Sequence, residues 1–81
     1  EPLAVKYCMG VAYYQRGQYE KALKEMEPCG TIGLYHKALC LKKMKKTGEY
    51  KQLLNELSGM DTEEYPGLVL WAKSRLKDLN A

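Results

Sequence analysis

A glycine in the middle of a helix-patterned run constrains this chain more than any other residue. In the stretch YCMGVAYYQRGQYEKALKEM, residues 7–26, Gly10 stands among Met9, Val11 and Tyr13 with no turn residue beside it. Glycine inside a helix costs about 1 kcal/mol relative to alanine, so its presence implies a second helix too close for a Cβ. Tyr13, one turn on, supplies bulk beside that close approach. Gly17 then follows Gln15 and Arg16 as a C-terminal helix stop. Tyr19 opens a second periodic run, Ala22 is the small residue that faces Gly10, and Met26 fills the same face one turn later. The spacing predicts two short antiparallel helices packed through Met9, Gly10, Tyr13, Gly17, Tyr19, Ala22 and Met26.

Eighty-one residues set the scale: one domain at most, burying roughly 60–65% of its unfolded surface. A hydrophobic content of 46% with both charge signs present excludes a disordered tail. No apolar run approaches the roughly 18 residues that a membrane helix needs, and no signal peptide is visible. The expected location is therefore intracellular, cytoplasmic or nuclear. The chain begins Glu1-Pro2 rather than with Met, as an excised or processed piece would. Cys8, Cys29 and Cys40 are odd in number, lack CxxC spacing and have apolar neighbours. They are expected to be buried free thiols in a reducing compartment, with neither disulfide nor metal.

Helix one is expected from Leu3 to Arg16, with Pro2 in a first turn where its missing N–H costs nothing. Leu3, Met9, Ala12 and Tyr13 keep near a 3.6 period, and Tyr7, Val11 and Tyr14 form a second face. A helix apolar on two sides is packed on both, or offers one of them to a partner. Helix two is expected from Gln18 to Glu27, with Glu20 and Lys24 placed as an i,i+4 ion pair. Pro28-Cys29-Gly30-Thr31 ends it, Thr31 being placed to cap the next helix. Setting Gly48 on Gly17 gives an offset of 48 − 17 = 31 residues. Cys40-Leu41 then falls on Met9-Gly10, Met44 on Tyr13, Leu53 on Ala22 and Leu57 on Met26. In that register both small packing residues have become leucine, unless Ala38 rather than Leu41 marks the close approach. The last segment carries a capping-box pattern at Asp61-Thr62-Glu63-Glu64, although Pro66 and Gly67 leave a start near Pro66 open. Leu68, Val69, Trp71, Ala72, Leu76 and Leu79 give it one apolar stripe.

Met9-Gly10, Tyr13, Gly17, Tyr19, Ala22 and Met26 together resemble the tetratricopeptide repeat (TPR), a helix-turn-helix unit of about 34 residues. Two departures are plain: Lys6 stands where that repeat carries an aromatic, and the closing proline comes early, at Pro28. The resemblance implies an all-α, right-handed solenoid in a single domain spanning residues 1–81. Repeat one would cover about 3–28, a degenerate repeat two about 32–58, and a capping or third-repeat helix about 62–80. It also implies that the first helix of each pair lines a concave, partner-binding surface. Tyr7, Val11, Tyr14 and Gln15 would be the candidates in repeat one, and Tyr35, Lys42, Lys45 and Lys46 in repeat two, with Ala4 and Ala38 beside them. A narrower likeness, carried by YYQRGQYEKAL and the short linker after it, is to the TPR scaffold subunits of the anaphase-promoting complex. It implies self-association inside a ubiquitin-ligase assembly of the cell cycle.

Charge adds a second hint. The first 30 residues carry four basic and four acidic groups, residues 31–60 carry six and two, and the last 21 carry three and four. The excess sits in Lys42-Lys43-Met44-Lys45-Lys46. Such a run contacts phosphates or acidic segments, or is simply a solvated helix end. Without arginine and aromatic interleaving, nucleic-acid binding is the less favoured use. Enzymatic chemistry finds no support: His36 is the only histidine, which excludes a triad or a multi-histidine metal site, and no cofactor motif occurs. His36 is expected to be a partly buried helix residue. The expected function is protein–protein interaction: a scaffold that self-associates or joins other subunits of a complex. A peptide receptor for acidic segments and a basic RNA-associated module are the alternatives.

Overall fold

In a computed structural model of the chain, residues 2–80 are described, Ile32 by its backbone alone. They form five α-helices with no strand among the described residues: α1 Leu3–Gln15, α2 Tyr19–Met26, α3 Thr31–Lys43, α4 Thr47–Ser58 and α5 Pro66–Leu79. A short 3-10 turn, Glu27–Cys29, separates α2 from α3. The all-α expectation is met. The chain divides into two compact units, Glu1–Lys46 and Thr47–Ala81, so the division falls inside the expected second repeat.

In the first unit α1 packs against α2, α2 against α3, and α1 touches α3 as well. Ala22 and Met26 are buried on α2, Gly10 on α1, and Ala38, Cys40 and Leu41 on α3. The close approach at Gly10 is real, but its neighbour is Met26. A Cβ there would meet the Met26 methyl at 2.7 Å and its sulfur at 3.0 Å. Gly33 is the tighter position, where a Cβ would lie 2.7 Å from the Met26 carbonyl oxygen and 3.1 Å from the Cys29 Cβ. Lys21 Nζ sits 5.8 Å from the centre of the Tyr13 ring and ties α2 to α1 across the hairpin, a contact worth about 0.5–1 kcal/mol at an exposed site.

Gly17 stops α1 as expected. It has φ 78°, its N–H donates to the Tyr14 carbonyl at 3.0 Å, and the Gln18 N–H donates to the Tyr13 carbonyl at 2.9 Å. That pair of bonds is a Schellman motif. The end of α3 repeats it: Lys45 N–H donates to Lys42 O at 3.0 Å and Lys46 N–H to Leu41 O at 3.0 Å. The left-handed residue there is Lys45, at φ 60°. The two stops therefore lie 45 − 17 = 28 residues apart, where matching the glycines alone gives 31. Gly48 is not a stop; it is the second residue of α4, with nothing within 4 Å of its added Cβ. At the spacing of 28, Ala38 takes the place of Gly10, and Ala38 is fully buried. Leu41 takes the place of Tyr13, and Tyr35 that of Tyr7. An L-residue in this conformation costs roughly 1–2 kcal/mol that glycine avoids. Lys45→Gly is thus expected to raise stability by about 1 kcal/mol once glycine's greater unfolded-chain entropy is counted. Gly17→Ala should lower it by a similar amount. Urea melts of the two variants check both signs.

In the second unit α4 packs against α5. Tyr50, Leu53, Leu54 and Leu57 form the buried stripe of α4, and Val69 and Ala72 are buried on α5. The start of α5 is set by Pro66 at its first turn, where the missing N–H is harmless. Asp61–Glu64 form no capping box. The Asp61 carboxylate accepts the Glu63 N–H at 2.8 Å, an Asx-turn that begins five residues before the helix.

Four local expectations are corrected. Helix two ends at Met26, because Pro28 tightens the next residues into the 3-10 turn. Thr31 is the first residue of α3 and makes no cap bond; Gly30 holds the N-cap position. Glu20 and Lys24 form no ion pair, and the pair among the described residues is Arg75–Asp78 at 3.6 Å. Cys29 and Cys40 are buried free thiols, but Cys8 is exposed, since apolar residues run right round α1 and only part of it is covered.

Candidate functional site

Three of the tyrosines placed on the partner-facing surface converge on one imidazole. His36, half-buried on α3, has the Tyr7 ring edge-on at 5.4 Å, Tyr14 at 6.2 Å and Tyr35 at 5.3 Å. Tyr14 also meets Tyr19 at 5.7 Å, which extends the cluster to the start of α2. The Tyr7 hydroxyl lies 3.2 Å from His36 Nδ1 and bridges α1 to α3. With the imidazole proton on Nε2, Tyr7 O–H donates to Nδ1. Tyr7 and Tyr14 are half-buried and hold the first unit together here, whereas Tyr35 keeps 38% of its surface exposed.

Burial lowers the His36 pKa below its ordinary value of 6.5. The Tyr14 hydroxyl is pushed up from 10.0, first by burial and then by Tyr19, Cys40 and Tyr35 nearby. Because the folded chain prefers neutral His36, this contribution to stability is fully present above about pH 6.5. It is lost as pH falls through the lowered folded value. Between about pH 7.5 and pH 5 the melting temperature should fall more for wild type than for His36→Gln. Equal falls in thermal scans would remove His36 as the cause.

The remaining candidates fall elsewhere. Val11 is half-buried between Tyr7 and Tyr14 on α1, and Gln15 is exposed at the helix end. Lys42 is exposed in the last turn of α3, and Lys45 and Lys46 lie beyond it in the stop. Of the packing set, Gly10, Ala22 and Met26 are buried, and Tyr13 and Tyr19 are half-buried. Met9 is half-buried and lines a groove on another side of α1.

That side is the feature the residue pattern concealed. Ala4, Val5, Cys8, Met9 and Ala12 line an open groove on α1 with no polar atom in its wall. Val5 is 45% exposed there. The spacing of Ala4, Cys8 and Ala12, four residues apart each time, was the available signal. Among the described residues no group of three or more His, Cys, Asp or Glu side chains is placed to hold a metal. No described helix is long and apolar enough to cross a membrane. Compared with known protein families, curated proteins and solved structures, the chain has no match in any of the three.

Proposed function

We propose that this chain is a non-enzymatic protein-interaction module, a TPR-like scaffold segment that associates through the outer face of α1. The observation that carries the reading is the bare groove of Ala4, Val5, Cys8, Met9 and Ala12. An apolar helix face left in water is the kind of surface through which a small, weak association forms. The favoured occupant is the same face of a second copy. Ala4, Cys8 and Ala12 are spaced symmetrically about Cys8, so an antiparallel pairing sets Ala4 against Ala12 and Cys8 against its mate. A two-fold contact requires that self-complementarity. No charged side chain lines the groove, so two copies meet without like-charge repulsion.

One helix face is a small interface, below the standard size, so the association should be weak and concentration-dependent. The likeness of YYQRGQYEKAL to self-associating TPR scaffolds agrees with this mode. So does the short stack, since about three repeats are usually needed for stability. Ala12→Glu, at an exposed position, tests the reading by light scattering. The variant should stay fully helical and monomeric at concentrations where wild type associates. Association unchanged in Ala12→Glu would place the contact elsewhere. Tyr7→Ala with Tyr14→Ala is a poorer test, because those rings pack on His36 and their loss weakens the fold itself.

A further inference from the structure

We propose that the lysines closing α3 form a docking site for a short acidic segment of a partner protein, separate from the α1 face. Lys42 and Lys43 occupy the last turn of α3, Lys45 and Lys46 follow in its stop, and all four are exposed. None is ion-paired; the pair among the described residues is Arg75–Asp78. Without these four lysines the net charge of +3 becomes 3 − 4 = −1. The net positive charge is thus carried by these lysines, since the nine other basic groups are offset by ten acidic ones.

That confinement favours a short ligand. A long nucleic acid needs basic surface along its length, and beyond this patch the chain carries no net positive charge. The backbone offers phosphate nothing either. The N–H groups of Met44, Lys45 and Lys46 are already donated to the carbonyls of Cys40, Lys42 and Leu41. Recognition falls to four ammonium groups on flexible stems, which suit a run of carboxylates without demanding fixed geometry. Lys45 holds its place at φ 60°, a conformation that glycine would adopt without strain.

Tyr35 supplies a second anchor. It precedes Lys42 by seven residues, two helical turns, so the two share a face about 10 Å apart. Tyr35 is 38% exposed. About three residues of extended chain span that distance. The segment the site fits therefore has an apolar or aromatic residue about three positions from its acidic run.

Fluorescence anisotropy with the whole chain tests this. The probes are a labelled peptide with one tryptophan, a two-residue spacer and a run of glutamates, its glutamine counterpart, and an oligouridylate of matched charge. The glutamate peptide should bind at low salt at least tenfold more tightly than the glutamine peptide. Its Kd should rise at least tenfold when all four lysines become glutamine, and about threefold or more in Tyr35→Ala. Circular dichroism confirms that the variants remain helical, and Lys42→Gln with Lys46→Gln serves if the fourfold change does not fold. No glutamate-peptide binding at low salt, or binding unchanged by the lysine substitutions, overturns the proposal. So does tighter binding of the oligouridylate, which would make the patch a nucleic-acid contact.

Discussion

Gly33→Ala should destabilise the Glu1–Lys46 unit by about 2 kcal/mol, while Gly10→Ala should be close to neutral. Each glycine sits inside a helix, so alanine at either gains about 1 kcal/mol of helix propensity. The contacts decide which way the balance falls. At Gly10 the new methyl meets the Met26 side chain, with its methyl group nearest at 2.7 Å. A methionine end can swing aside at little cost, because its torsions are soft. At Gly33 the new methyl meets the Met26 carbonyl oxygen at 2.7 Å and the Cys29 Cβ at 3.1 Å. Neither can move without shifting the 3-10 turn that connects α2 to α3. Overpacking against fixed atoms typically costs 1–3 kcal/mol or somewhat more, which outweighs the propensity gain. Paired urea denaturation of the two variants measures the difference. A Gly33→Ala protein as stable as wild type would mean that α2 and α3 are less tightly joined than described.

Leu54→Ala is expected to cost about 3 kcal/mol, whereas Leu70→Ser should stay within about 0.5 kcal/mol of wild type. Leu54 is fully buried in the stripe of α4, so its truncation loses transfer free energy and leaves a cavity. Leu70, on α5, is 64% exposed and removes little from water. A domain of this size has only several kcal/mol in reserve, so the first change should leave a large fraction of chains unfolded near body temperature. Circular dichroism melts separate the two cases. Comparable losses at both positions would show that Leu70 is covered, for example by association.

The helices were legible because their signals are local. Gly17 as a stop and Pro66 as a start each act through one residue's backbone chemistry. The close approach at Gly10 could be inferred because an unexplained glycine in a helix is costly. Gly33 carried the same signal but stands two residues after Thr31, in the first turn of the expected helix, where a glycine draws less notice than in a helix interior. The end of α3 was obscured by a lysine doing a glycine's work: Lys45 in the left-handed conformation is invisible to a search for glycine stops. Gly48 drew the alignment three residues too far. Burial on α1 was the harder problem, since apolar residues surround that helix. Periodicity could say that more than one face was apolar but not which one a neighbour covered. The aromatic face turned inward on His36, and the alanine and cysteine face was left bare. His36 itself was foreseen as a partly buried helix residue, although its place at the centre of three tyrosines depends on contacts between α1 and α3.

The measurement that bears most directly on the proposed association is sedimentation equilibrium of the wild-type chain across about two decades of concentration. The expected result is a reversible rise in mass from monomer toward dimer as concentration increases, with helicity unchanged. A folded chain that stays strictly monomeric over the whole range would contradict it, and the bare face of α1 would then need another explanation.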